Sequence, residues 1–133
     1  MSNRNLGAVI VRTLLAVVLG AVVGALGTVV HRFGDDGWYP GLVLALALTA
    51  AAGVLSRAWG GLGALLAVGA GWLVVVQALS LTGSGGDVIV PAGTLGLVWS
   101  YAGLGTLAVV AFAPSSWFAD VPVRRRSTEP TTP

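Results

Sequence analysis

The side chains able to do acid, base or metal chemistry are few, and almost all lie outside the apolar runs. His31, the only histidine, shares the segment His31-Arg32-Phe33-Gly34-Asp35-Asp36-Gly37 with two carboxylates, a donor set that in principle holds a divalent cation. Such a site needs three or four convergent ligands and groups that orient them, which a Gly-flanked loop does not supply. The segment is therefore expected to be a solvated turn without metal. Gln77, with Trp99, Ser100 and Tyr101, is the other polar group of interest: an amide, an indole, a hydroxyl and a phenol at similar depth on neighbouring segments. They could line a small polar pocket; the plainer reading is hydrogen bonding between helices, worth ~0.6 kcal/mol per contact in lipid. Trp72, away from either end of its segment, is expected to fill space between helices.

No HExxH, G-x-S-x-G or Walker lysine occurs, and there is no cysteine. Hydrolysis, phosphoryl transfer and thiolate chemistry thus lack their reacting groups, so no catalytic residue, no cofactor and no enzyme is expected.

The elements that must position these groups follow from composition. Of 133 residues, 56% are hydrophobic and 9% charged, against ~25% charged in an ordinary soluble domain. That is too little ionic surface to solvate a globule. A membrane crossing takes ~20 apolar residues, and four runs qualify, at about 13–30, 39–56, 61–82 and 92–113. Pro40 sits at a helix start, Gly83-Ser84-Gly85-Gly86-Asp87 reads as a turn, and Pro91 and Pro114 bracket the last run. The expected fold is all-α, a polytopic four-transmembrane-helix bundle over 13–114, with an N-terminal flank at 1–12 and a polar, disordered tail at 115–133. The first run is longer than the ~7–15 apolar residues of a signal peptide and is read as retained.

Arginine placement sets the expected orientation, because cytoplasmic flanks keep positive charge. Arg4, Arg12, Arg57, Arg124, Arg125 and Arg126 fall on one side of the four-span scheme and only Arg32 on the other. Both termini are expected in the cytoplasm, in a multi-pass cell-membrane protein. A net charge of +2 is too thin for a nucleic-acid footprint. The Arg124–Arg126 cluster anchors topology or meets anionic headgroups.

Small residues recur every fourth position at Ala16, Gly20, Gly24 and Thr28, at Gly63, Ala67 and Gly71, and at Ala92, Gly96 and Ser100. Such ridges let helices approach closely. They serve packing within the monomer or an oligomer face. No Asp, Glu, Lys or His lies inside any expected span, which argues against a proton-driven transporter. The partners expected are the lipid bilayer and a membrane protein or a second copy. The leading role is a non-enzymatic accessory or structural subunit; the alternative is an oligomeric permease for a neutral or weakly polar solute.

The order and spacing of Trp38-Tyr39-Pro40-Gly41-Leu42, Ala70-Gly71-Trp72-Leu73, Gly86-Asp87 and the stretch Gly96 to Gly103 carry a resemblance. Over Gly20 to Ala113 the chain resembles an uncharacterised actinobacterial family of small four-span membrane proteins, a domain of unknown function. The resemblance implies four inner-membrane spans and no known catalytic residues. Small multidrug exporters have similar size, but their first-span Glu has no counterpart. Fluoride channels need a second-span Asn, and Asn occurs here only at Asn3 and Asn5.

Overall fold

The computed structural model describes residues 3–34, 37–81 and 93–118. The described residues form three long helices, α1 (Asn3–Val30), α2 (Pro40–Ser80) and α3 (Thr94–Phe112), and a short 3-10 turn at Ser115–Phe118. All three helices are long and apolar enough to cross a membrane. In hydrocarbon the backbone must satisfy its own polar groups, and uninterrupted Ala, Val, Leu and Gly text lets a helix do so. Pro40 occupies the first turn of α2, where its missing N–H leaves no bond unmade. α3 stops because Ala113, held at φ −58 and ψ 137, precedes Pro114 and is pushed out of helical conformation.

Two boundaries differ from those expected. α1 begins at Asn3 rather than near Thr13, because nothing in the first residues breaks a helix once the apolar run nucleates it. The expected second and third spans form one 41-residue element with no loop at 57–60, giving three long helices where four were expected. Its interruption is a single residue, Gly61, at φ 69 and ψ −158. That backbone region is essentially restricted to glycine.

Gly61 reverses the chain. A Cβ placed on Gly53 would stand 3.5 Å from the Leu65 side chain, whereas twelve residues of straight helix would separate the two positions by roughly 18 Å. α2 is therefore a hairpin of two arms, 40–60 and 62–80. The same Gly53 position meets Leu107 and Val110, so α3 packs where the arms meet each other.

The closest packing joins α1 to the second arm. A Cβ on Gly20 would land on the backbone carbonyl of Val68, and one on Gly71 would land on the carbonyl of Val17. The two glycines let the backbones touch, which is how helices gain dispersion energy where hydrophobicity supplies none. The buried core is correspondingly small-grained, with Ala16, Ala45, Ala52, Ala64 and Ala67 beside Val23, Leu65, Val68 and Val76. Large apolar residues face outward instead, among them Val29, Leu66, Val109 and Phe112. Two tryptophans, Trp72 and Trp99, are the large exceptions inside, and the many large apolar residues outside fit helices long and apolar enough to cross a membrane.

Candidate functional site

Most described hydroxyls cannot do chemistry, because they are committed locally. Thr49 donates to the carbonyl of Ala45, Ser56 to Gly53, Ser80 to Val76, Ser100 to Gly96 and Thr106 to Ala102, at 2.7–3.0 Å. Each folds back on its own helix, the usual way to hide a hydroxyl in an apolar medium.

The exception is at the end of the bundle where α1 finishes. Thr28 uses its hydroxyl between helices, accepting a 3.2 Å bond from the indole N–H of Trp99 on α3. Among the described residues this is the one hydrogen bond between two side chains of different helices. His31, one residue past the end of α1, stacks on Trp99 with ring centroids 5.8 Å apart and planes at 15°. Trp72, on the second arm of α2, meets Trp99 edge-on at 5.4 Å and 60°. His31, Trp72 and Trp99 are each at most 1% exposed. Glycines seat the rings: Gly27 lies against the Trp99 indole, Gly103 against the six-membered ring of Trp72, and Gly24 beside the other edge of Trp72.

The chemistry of this cluster is set by one bond. The His31 Nδ1 lies 2.6 Å from the carbonyl of Thr28. A carbonyl only accepts, so Nδ1 carries the hydrogen and Nε2 is left with a lone pair. Among the described residues Nε2 is buried without a hydrogen-bond partner, and so is the indole N–H of Trp72. The cluster thus holds one open acceptor and one open donor in apolar surroundings. Burial pushes the His31 imidazole below its ordinary value of 6.5, and the neighbouring Arg32 charge lowers it further, against the raising effect of the bond to Thr28. His31 is therefore neutral at pH 7.

The opposite end of the bundle is organised by arginines. Arg57 donates through Nη2 to the carbonyl of Ala113 at 3.2 Å, satisfying the C-terminal end of α3, and its guanidinium lies 5.7 Å from the Phe118 ring centre. Arg12 lies 5.9 Å from the Trp59 ring centre. Arg12 and Arg57 therefore sit at one end and His31 and Arg32 at the other.

Several expected groupings are not brought together. His31 is buried rather than solvated, because Trp99 and the Thr28 carbonyl give an imidazole both a stacking face and an acceptor. Gln77 is exposed, Tyr101 is 74% exposed and Ser100 bonds its own helix, so they do not form a pocket with Trp99. Of the small-residue ridges, Ala16, Gly20, Gly24, Thr28, Ala67, Gly71 and Gly96 are buried within this one chain. Gly63 is exposed with open space above it and belongs to no packed seam. Asp35, Asp36, Ala92, the turn at 83–87, Arg124, Arg125 and Arg126 lie outside the described residues, as does the side chain of Arg4. Among the described residues no group of three metal-ligating side chains occurs.

A groove of about 300 Å³, lined by Leu65, Gly69, Ala70, Leu104 and Ala108 among others, runs between the second arm of α2 and α3. Its walls are almost wholly apolar, and it offers no group for catalysis.

Neither the curated proteins nor the solved structures include a match to this chain. A family model does match, over residues 2–123, which is nearly the whole chain and includes every helix and the histidine and indole cluster. The chain belongs to DUF6113, a family of unknown function.

Proposed function

We propose that this protein is a four-pass membrane protein with both termini in the cytoplasm, acting as a non-enzymatic accessory or structural subunit. The hairpin at Gly61 supports four crossings, because it turns one 41-residue helix into two antiparallel arms. Arg12 and Arg57, beside Trp59 and Phe118 at one end, support the orientation, since arginine is in excess on the cytoplasmic side while aromatic residues mark an interface on either side.

The observation that carries the functional reading is the way polar groups are used. The hydroxyls that donate to backbone carbonyls are spent on their own helices, and Trp99 and Thr28 on each other, so among the described residues no row of open polar groups leads from one end to the other. That arrangement supports a packed bundle better than a solute path. The permease alternative puts Gln77 and Tyr101 on such a path; both face outward from a single chain, so that path would have to lie between copies in an oligomer. The glycine seams are occupied within the chain, so a partner would meet the outward apolar surface rather than the ridges.

Affinity capture from native membranes in mild detergent tests this reading. One membrane protein recovered repeatedly in near-stoichiometric amount is the expected result. Recovery of the protein alone, together with solute flux above empty liposomes after reconstitution, would overturn it in favour of a permease.

A further inference from the structure

We propose that His31 is a proton-operated latch between the ends of α1 and α3. The inference stands on the geometry of the histidine and indole cluster and does not depend on the accessory role. Three observations converge. The ring is wholly buried, its Nδ1–H is fixed on the Thr28 carbonyl, and its flat face covers Trp99. Trp99 in turn is the described side chain through which α3 is bonded to α1, by its N–H to Thr28 and its ring on Gly27. The atom that would receive a proton, Nε2, is buried and has no hydrogen-bond partner among the described residues.

Protonation therefore creates an N–H and a full charge where no described residue accepts the one or balances the other. The charged neighbour on the same segment is Arg32, which repels the cation. α3 and the second arm of α2 meet the cluster through Trp99 and Trp72, neither titratable. The first arm of α2 opens beside the end of α1, with Tyr39 as its titratable group. Asp35, Asp36 and Asp87 lie outside the described residues. The Trp99 face and the carbonyl end of α1 both favour a cation, but neither gives the new N–H a partner, and burial outweighs them. The ring leaves for water when charged. Trp99 then loses its stacking partner, and of its contacts with α1 at that end keeps the Thr28 bond and the Gly27 contact.

His31 is the only histidine, so one imidazole labelled with ¹⁵N reports the site without interference. The test uses the full chain in lipid nanodiscs, with spin labels at Val29 and Leu97, both exposed. The expected result is a neutral ring with hydrogen on Nδ1 at pH 7, and a protonation midpoint below 6.5. The spin-label distance should lengthen over the same pH range. His31→Phe, which keeps a stacking ring but takes no proton, should abolish the lengthening, and His31→Gln should do the same should Phe fail to fold. A midpoint at or above 6.5, hydrogen on Nε2, an unchanged distance while the ring titrates, or a step that survives both substitutions would each overturn the latch.

Discussion

Replacing Gly20 or Gly71 with alanine probes the tightest seam in the molecule. A Cβ at either position falls on a backbone carbonyl, Val68 for Gly20 and Val17 for Gly71, and a carbonyl in a helix cannot rotate away as a side chain does. The two helices must part instead. The overlap is deep enough that the helices must part by about 1 Å or more, which forfeits roughly half or more of each contact, at ~0.1–0.2 kcal/mol per atom pair. Over roughly 20 pairs this comes to about 1–2 kcal/mol, within the ~1–3 kcal/mol typical of overpacking. Because one parting accommodates both methyl groups, the double variant should cost little more than the worse single one. Gly63→Ala and Gly105→Ala are the matched controls, since each has open space at the new Cβ. They should be neutral or stabilising by up to about 1 kcal/mol through the helix preference of alanine. Unfolding in detergent with increasing dodecyl sulfate, followed by tryptophan fluorescence, measures all five variants. If Gly20→Ala and Gly71→Ala unfold with Gly63→Ala, or if the double variant is fully additive, the seam is not held as described.

Other outcomes follow from the same geometry. Gly61→Ala should cost about 1–3 kcal/mol although its Cβ meets nothing, because φ 69 with ψ −158 penalises any L side chain; Gly61→Asn should not rescue it, and the same dodecyl sulfate titration reads both. His31 makes stability depend on pH: its value is lowered on folding, so the unfolded chain binds more protons at acid pH. The contribution is complete above 6.5, falls as pH drops from there through the lowered folded value, and levels off below it; His31→Gln should flatten that limb in unfolding curves taken across pH. Thr28→Val keeps the side-chain shape but leaves the buried Trp99 N–H unpaired, for a loss of about 1–3 kcal/mol in the same titration. Arg57→Gln removes a charged donor from the α3 carbonyl end, at about 1–2 kcal/mol, with faster hydrogen exchange expected in the last turn of α3.

Helical class and helices long and apolar enough to cross a membrane were legible because they rest on apolar run length, and small residues at fourfold spacing pick out one face of α1. Gly20 and Gly24 lie on the buried face that this spacing picks out. Gly63 follows the same spacing yet stays exposed, because a ridge becomes a seam only where another helix arrives, and spacing does not say which face that is. The reversal at Gly61 was misplaced into residues 57–60 because Arg57 looked like a loop residue; its long side chain instead reaches the Ala113 carbonyl from within a helix. The cluster was the least legible part. Trp99 lies 71 residues from Thr28, and nothing local distinguishes a histidine that ends a helix under an indole from one in a solvated turn. Gly27 and Gly103, which seat the two indoles, were the available signal, but a glycine does not name the ring it accommodates.

The central claim is that one 41-residue helix crosses the membrane twice by folding at Gly61. The chain has no cysteine, so single replacements at Ala58, Ser84 and Ser127 can be labelled with a membrane-impermeant thiol reagent in intact cells and in inverted vesicles. Four crossings predict that Ala58 and Ser127 label only in inverted vesicles and Ser84 only in intact cells. Protection of Ala58 in both preparations, or labelling of Ser84 and Ser127 from the same side, would contradict it.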